Sequence, residues 1–412
     1  MKVIRTEQIF IRGNGVISKM CHISKNLFNQ ANYILRSQFF NKEKMAGYKE
    51  LAKQFVKPSA LEENNNFQKL PAQTAQWTIK KVKQSWTSFF GALRSYKKNP
   101  ELFNGVPKPP KYKHRNGEFM LIFTNQQCSI AHGILKFPKI MDLEVETRLD
   151  NVDLREVRII PNGVGYNVEI VYSKEISDIT NINPKRILGI DIGVSNIITI
   201  GNNISEKGIT VKGGVLKSIN QYFNKELSRL KSVNDKQGNK ENTKRINKLY
   251  MVRNRKIRDV MHKISNAVIA YAITNEIDTI VIGHNNGWKQ SVDIGKKNNQ
   301  NFVQIPFNML INQLYYKGKE FGINVVKQEE SYTSKCSFLD NESIEEHETY
   351  LGKRIKRGIF KSSNGTLLHA DLNASYNIMK KAIPEAFDGI EGIGLYPGSL
   401  SIKEMITSKG GC

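Results

Sequence analysis

The sequence predicts an α+β multidomain protein, on three observations. Two regions of apolar alternation bracket a long stretch of helical spacing before Pro184, buried-strand strings alternate with helical patterns after it, and 412 residues suffice for roughly two to three domains of about 150 residues each. Val3, Ile4, Ile9 and Ile11 make a first strand, and GNG at Gly13 to Gly15 turns it. From about Ile23 to Tyr96 apolar residues recur at three and four (Leu27, Phe28, Ala31, Ile34, Leu35; then Ile79, Val82, Trp86, Phe89, Phe90), with Pro71 as a helix start signal. The polar positions there carry Lys80, Lys81, Lys83, Arg94, Lys97 and Lys98, a face that is either solvated or lies along phosphates. VPKPPKYKHRNG, Val106 to Gly117, reads as a basic, proline-punctuated connector. Period two then runs from Phe119 to Val171 (Phe119, Leu121, Phe123; Val164, Tyr166, Val168, Ile170), which predicts a small antiparallel barrel or sandwich completed by the first strand.

After Pro184, ILGID, NIITIG and GITVKG form a three-strand meander. Lys217 to Lys263 holds 14 lysines and arginines against 4 acidic residues, with Ile246, Leu249, Ile257, Val260, Ile264, Val268 and Tyr271 at helical spacing. DTIVIG is a fourth strand, Phe307 to Phe321 a helix, INVVKQEE a fifth strand, and Asp371 opens a helix through about Ala382. This order is that of a ribonuclease-H-like domain. The glycine-rich tail after Pro384 is expected to be mobile.

Lysine and arginine total 62 against 38 acidic residues, a formal +24 with a pI near 9.7, which points to a polyanionic partner. No apolar run reaches the roughly 18 residues of a membrane span, and MKVIRTEQIF lacks a signal-peptide pattern, so no membrane partner and a cytoplasmic location are expected. Cys21, Cys128, Cys336 and Cys412 show no paired spacing and read as thiols rather than a disulfide or metal framework.

Two strings carry chemistry. GIDIGVSN lifts Asp191 out of an apolar strand, and HADLNASYNI places Asp371 at a helix start. In a ribonuclease-H-like order these carboxylates reach a common point, where two divalent ions roughly 3.5–4 Å apart support phosphodiester hydrolysis. Magnesium suits such hard oxygen donors, with manganese an alternative. Taken singly, Asp191 is explained as a turn former and Asp371 as a helix N-cap. GIDIGVSN also resembles the first phosphate turn of actin-like ATPases, but no matching second phosphate hairpin and glycine-rich adenosine turn follow.

GIDIGVSN, NNQNFVQIPF, EESYTSKCSFLD and HADLNASYNIMKK together resemble the TnpB family of transposon-encoded RNA-guided DNA endonucleases (OrfB-type "transposases"), and LFNQANYILR, LPAQTAQ and PKYK extend the likeness along nearly the whole chain. The resemblance implies a wedge β-barrel (1–20 and 106–183) with an inserted helical recognition domain (21–105). It implies a RuvC-like nuclease domain (184–335, last helix 369–384), a target-nucleic-acid insert (336–368) and a flexible tail (385–412). It further implies a guide RNA derived from the transposon end and a double-stranded DNA target beside a short flanking motif. A prokaryotic, nucleoid-associated location follows from the same likeness.

The chain departs from the family twice. Where DTIVIG should end in the middle catalytic glutamate stands Gly283, followed by His284. Glu330, in E-x-x-T-S spacing, resembles the relocated glutamate of some branches, with Glu329 in reserve; the expected magnesium ligands are thus Asp191, Glu330 and Asp371. A nuclease-inactive RNA-guided DNA-binding repressor of the same fold is the alternative. Cys336 lacks the partners of the family's zinc ribbon, so no zinc is expected and Phe338, Leu339, Tyr350, Leu351 and Ile355 are expected to hold the insert. Expected nucleic-acid contacts are Lys108, Lys111, Lys113, Arg115, Arg245, Lys248, Arg255, Lys256, Lys263, Lys353 and Arg354, with Trp77, Trp86, Tyr112 and Trp288 as candidate stacking rings, Trp77 and Trp86 more readily as core.

Overall fold

The computed structural model describes residues 2–56, 65–176, 184–238, 241–285, 300, 303–390 and 392–400. Trp288, Cys412 and most of the loop after Asn285 lie outside the described residues. The chain forms two compact units, Lys2–Glu175 and Ile176–Cys412. No helix among the described residues is long and apolar enough to cross a membrane.

In the first unit, β1 (Lys2–Ile11), β7 (Tyr166–Glu175), β6 (Asp153–Pro161) and β2 (Leu121–Thr124) pair in that order as an antiparallel sheet, so the first strand joins the later ones. A second antiparallel sheet holds β3 (Ser129–Ala131), β4 (Ile134–Lys136) and β5 (Glu144–Glu146). Between β1 and β2 lie α1 (Gly15–Phe40), α2 (Tyr48–Val56) and α3 (Ala72–Lys98). Asn14 caps α1 by accepting from the Ile17 amide at 2.9 Å, and Ile17, Cys21, Leu27, Ala31 and Leu35 line its buried face. Trp86 is 1% exposed and donates to Asn32 Oδ1 at 2.9 Å, so it is core. Trp77 is half-buried beneath the Lys80 ammonium, 4.6 Å from its ring centre.

The basic connector has no regular structure, yet it is ordered. Lys25, Asn29, Asn32 and Arg36, one stripe of α1, donate to the carbonyls of Arg115, Lys113, Pro110 and Lys111, with Arg36 meeting Pro110 at 2.7 Å. Main-chain oxygens are thereby satisfied by α1. The side chains of Lys108, Lys111, Tyr112, Lys113 and Arg115 are exposed.

The second unit is built on β8 (Ile187–Ile192), β9 (Asn196–Asn202), β10 (Ile209–Lys212), β11 (Thr279–Gly283) and β12 (Asn324–Gln328). The sheet order is β12-β11-β8-β9-β10, parallel across β12-β11-β8 and antiparallel across the meander. Helices α4 (Gly214–Lys236), α5 (Lys244–Thr274), α6 (Phe307–Glu320) and α7 (Ala370–Ala382) complete it. Strand alternation divides the work: Leu188, Ile190, Ile192, Ile280 and Ile282 pack with α5 and α6, while Ile187 and Val281 pack with α7.

Gly189 and Gly201 are cross-strand partners beneath α7. An added Cβ would lie 2.3 Å from the Ser375 carbonyl at Gly189 and 2.4 Å from Ser375 Oγ at Gly201, so any side chain there would push the helix away. The opening glycine of GIDIGVSN thus serves close helix–sheet packing.

Two expectations are corrected here. The tail is packed at its described residues: Phe387 packs 4.6 Å from Phe338, Tyr376 donates to the Gly394 carbonyl at 2.7 Å, and β16 (Gly398–Leu400) pairs in parallel with β10. Burying aromatic surface and adding an edge strand offsets the chain's entropy. In the insert, β13 (Lys353–Lys356), β14 (Ile359–Lys361) and β15 (Leu367–His369) form a small sheet, but Leu351 and Ile355 are 56% and 47% exposed and lie outside its core. Phe360, Leu368 and Ala370 make its core, and the buried Glu342 carboxylate accepts the Ser337 and Leu351 amides at 2.6 and 2.8 Å. Cys21, Cys128 and Cys336 are buried free thiols.

Candidate active site

On β8, Ile187, Gly189 and Asp191 share the face turned toward α7, which carries Asp371 in its first turn. Asp371 is not the N-cap of that helix; His369 is, accepting from the Asp371 amide at 3.3 Å. The Asp371 carboxylate is left to point outward, where Asn196 Nδ2 donates to its Oδ2 at 2.7 Å and Arg354 lies 3.8 Å from its Oδ1. Asp191 is pushed well above the usual carboxylate range by burial and by the negative charges of Asp371 and Glu330, with Arg354 opposing. The charges of Asp371 and Glu330 thus both bear on Asp191.

Glu330 follows β12, whose Gln328 pairs with Gly283. Its carboxylate lies over that glycine: a Cβ added at Gly283 would stand 2.8 Å from Glu330 Oε2 and 2.5 Å from Ile378 Cδ1. Burial, then the charge of Glu329, raises its pKa to about 7. Glu329 turns the other way, pairing with Lys381 at 2.7 Å and accepting the Ser331 amide at 2.8 Å, which hold it down at about 2. The turn after Glu330 is fixed on α7 by Asn377, which donates to the Thr333 and Cys336 carbonyls at 2.9 and 2.8 Å. Asn285 Oδ1 accepts the Glu330 amide at 3.0 Å, and His284 is engaged with Asn308 at 3.2 Å.

A cavity of about 190 Å³ opens between Asp191, Ser195, Asn196, Arg354, Arg357 and Asp371. Arg357 and Lys217 both donate to Ser195 Oγ. Carboxylates and cations lining one cavity can seat a phosphodiester between them. Oxygen-only donors that repel one another fit a hard divalent cation. Among the described residues no three His, Cys, Asp or Glu side chains gather round one point.

Of the expected nucleic-acid contacts, Arg245, Lys248, Arg255, Lys256 and Lys353 are exposed, while Lys263 is half-buried and pairs with Asp259 at 2.6 Å. Arg354 lies at the carboxylates. Sequence reasoning did not single out Asn196 or Ser195, although both end the string GIDIGVSN; Arg357 lies in the basic string GKRIKRG, expected only as a nucleic-acid contact.

Comparison with known proteins agrees with this architecture. Residues 169–289 match the OrfB_IS605 family, described as a probable transposase, and residues 307–378 match the Cas12f1-like TNB domain. A TnpB-like protein of Acidianus two-tailed virus is 23% identical over 92% of this chain and 87% of its own length. The CRISPR-associated endodeoxyribonuclease Cas12f1 of Sulfoacidibacillus thermotolerans is 29% identical over 48% of this chain and 46% of its own. The fold is shared with a Cas12f1 chain from a complex with sgRNA and target DNA, at a TM-score of 0.52 and 13% identity over 89% of this chain and 83% of that one. Two family models in chain order and a relative spanning most of the length make this chain similar to OrfB-type, TnpB-like proteins.

Proposed function

We propose that the chain is an RNA-guided DNA endonuclease that hydrolyses phosphodiester bonds, with Asp191, Glu330 and Asp371 as carboxylate ligands of magnesium. The carrying observation is Glu330: its carboxylate occupies the space over Gly283 and its charge acts on Asp191. A glutamate side chain rising from position 283 and one descending from position 330 would compete for the same place. The names of the Cas12f1 relative and of the Cas12f1 complex support DNA as the substrate and RNA as the guide. A transposon-end origin of that RNA, and a flanking motif beside the target, belong to the same proposal.

Bound divalent ions would supply an activated water and a stabilised leaving oxygen. The chain's own residues do the rest. Asn196 orients Asp371, Asn285 and Asn377 fix the turn bearing Glu330, and Arg354, Arg357 and Lys217 offer positive charge to the phosphate. A folded-state pKa of about 7 against an ordinary 4.5 means that Glu330 ionises as pH rises through neutrality. Its charge costs stability in that window unless a cation compensates it. The stabilisation given by magnesium, measured as a rise in Tm, is therefore expected to grow between about pH 6 and pH 8.

The second reading is an RNA-guided DNA-binding repressor without cleavage, favoured by the ungathered carboxylates. Incubating the protein with guide RNA, matched duplex and magnesium separates the two. Cutting that Asp191→Ala abolishes supports the nuclease; guide-dependent binding with intact DNA supports the repressor.

A further inference from the structure

The basic hairpin of α4 and α5 contains a site distinct from the carboxylates. A cavity of about 320 Å³ lies between the helices, lined by Ser218, Ile219, Tyr222, Phe223, Leu249, Val252, Arg253 and Lys256. Its size falls at the lower end of the range for small-molecule sites. Phe223 is 4% exposed and braced edge-on by Tyr250 at 4.9 Å, so the floor is rigid. Arg253 closes one side: its guanidinium lies 4.9 Å from the Phe223 ring centre and donates to Asn220 Oδ1 at 2.9 Å and the Gln304 carbonyl at 3.1 Å.

Tyr222 has no such duty. Its ring is 63% exposed beside this apolar floor, and Val252 opposite is 36% exposed. Arg245, Leu249, Val252 and Lys256 follow one another at four, three and four residues on α5, so cations stand at both ends of an apolar stretch. Both Arg245 and Lys256 are exposed.

We infer that this groove binds an unstacked base of single-stranded nucleic acid, the base lying against Tyr222 over Ile219, Phe223 and Leu249 and the flanking phosphates meeting Arg245 and Lys256. An aromatic face beside cations spaced along one helix is the chemistry of sequence-tolerant single-strand binding. A duplex offers its bases no such approach. The excess of 14 cationic over 4 acidic residues from Lys217 to Lys263 favours this polyanion over an apolar protein partner. The inference rests on the nucleic-acid reading above and adds a place and a strand type to it.

The test uses the full chain, freed of co-purified nucleic acid at high salt and held in EDTA so that no cleavage intervenes. A fluorescent oligothymidine is titrated by anisotropy against wild type, Tyr222→Phe, Tyr222→Ala and Lys256→Ala, and a 5-iodouridine oligomer is photocrosslinked and mapped. Expected are affinity kept by Tyr222→Phe, about tenfold weaker binding by Tyr222→Ala, a shallower salt slope for Lys256→Ala, and a crosslink at Tyr222. Equal affinity for wild type and Tyr222→Ala with crosslinks elsewhere would overturn the inference. So would a concentration-dependent dimer lost in Tyr222→Ala, since a second copy would then cover the groove. Guide-dependent cutting by wild type, assayed in parallel, separates the readings: cutting with Tyr222-independent binding sinks only the groove, and Tyr222-dependent binding without cutting sinks only the nuclease.

Discussion

Glu329 and Glu330 are neighbours with opposite assignments, because Lys381 neutralises one while burial charges the other with a cost. Glu330→Gln should lower guide-dependent cleavage at least as much as loss of a metal's supporting residue does, about 10- to 100-fold. Glu329→Gln removes only a partly exposed pair, on the order of 1 kcal/mol, away from Asp191 and Asp371, and should leave the rate near wild type. Gly283→Ala is the subtler case: the new methyl meets Ile378 and the Glu330 carboxylate, and displacing that group by about 1 Å would cost on the order of 10²-fold in rate. A single-turnover cleavage rate, with Tm as a control for folding, checks all three. Asp191 and Asp371 stood out in the sequence because each stands in a distinctive string, and the structure brings both to one cavity. The choice of Glu330 over Glu329 rested on its E-x-x-T-S spacing and on strand alternation; the pairing of Glu329 with Lys381, 52 residues away, is a contact that the sequence did not display. Arg354 was foreseen as a nucleic-acid contact, but its place beside Asp371 depends on the fold of the β13–β14 hairpin.

At the scale of elements, periodicity located the long helices and the strands because their apolar faces are continuous. It failed where burial is intermittent. The segment 385–400 looked mobile for its glycines, yet Phe387, Gly394 and β16 tie it down, and the insert is centred on Phe360 and Leu368 rather than on Leu351 and Ile355. Packing of α5 on α6 contains a hidden titration. Lys317 donates to the His262 carbonyl at 3.2 Å, Ser265 Oγ at 2.5 Å and Asn266 Oδ1 at 2.6 Å, and burial lowers its pKa to about 8 from an ordinary 10.5. Between those values the unfolded chain binds the extra proton, so this group's contribution to stability rises with pH. Wild type should therefore gain in Tm relative to Lys317→Met as pH increases from 8 to 10. A difference that stays flat would remove the titration from the account.

For the whole molecule, a formal +24 pointed to a polyanionic partner, but composition alone could not say where in the chain its carboxylates and cations meet. The architecture brings Asp191 and Asp371 to one cavity with Arg354 and Arg357, beside the end of β8 in the sheet and the start of α7. That convergence depends on two glycines, a strand register and a helix start that lie far apart in sequence. The central claim is that Asp191, Glu330 and Asp371 act as one magnesium site. The most direct measurement is cleavage of a guide-matched duplex in magnesium by wild type and by Asp191→Ala, Glu330→Gln and Asp371→Ala, each checked for retained guide-dependent binding. The account predicts cutting by wild type and its loss in all three variants while binding persists; cutting that survives any one of the three substitutions at the wild-type rate would contradict it.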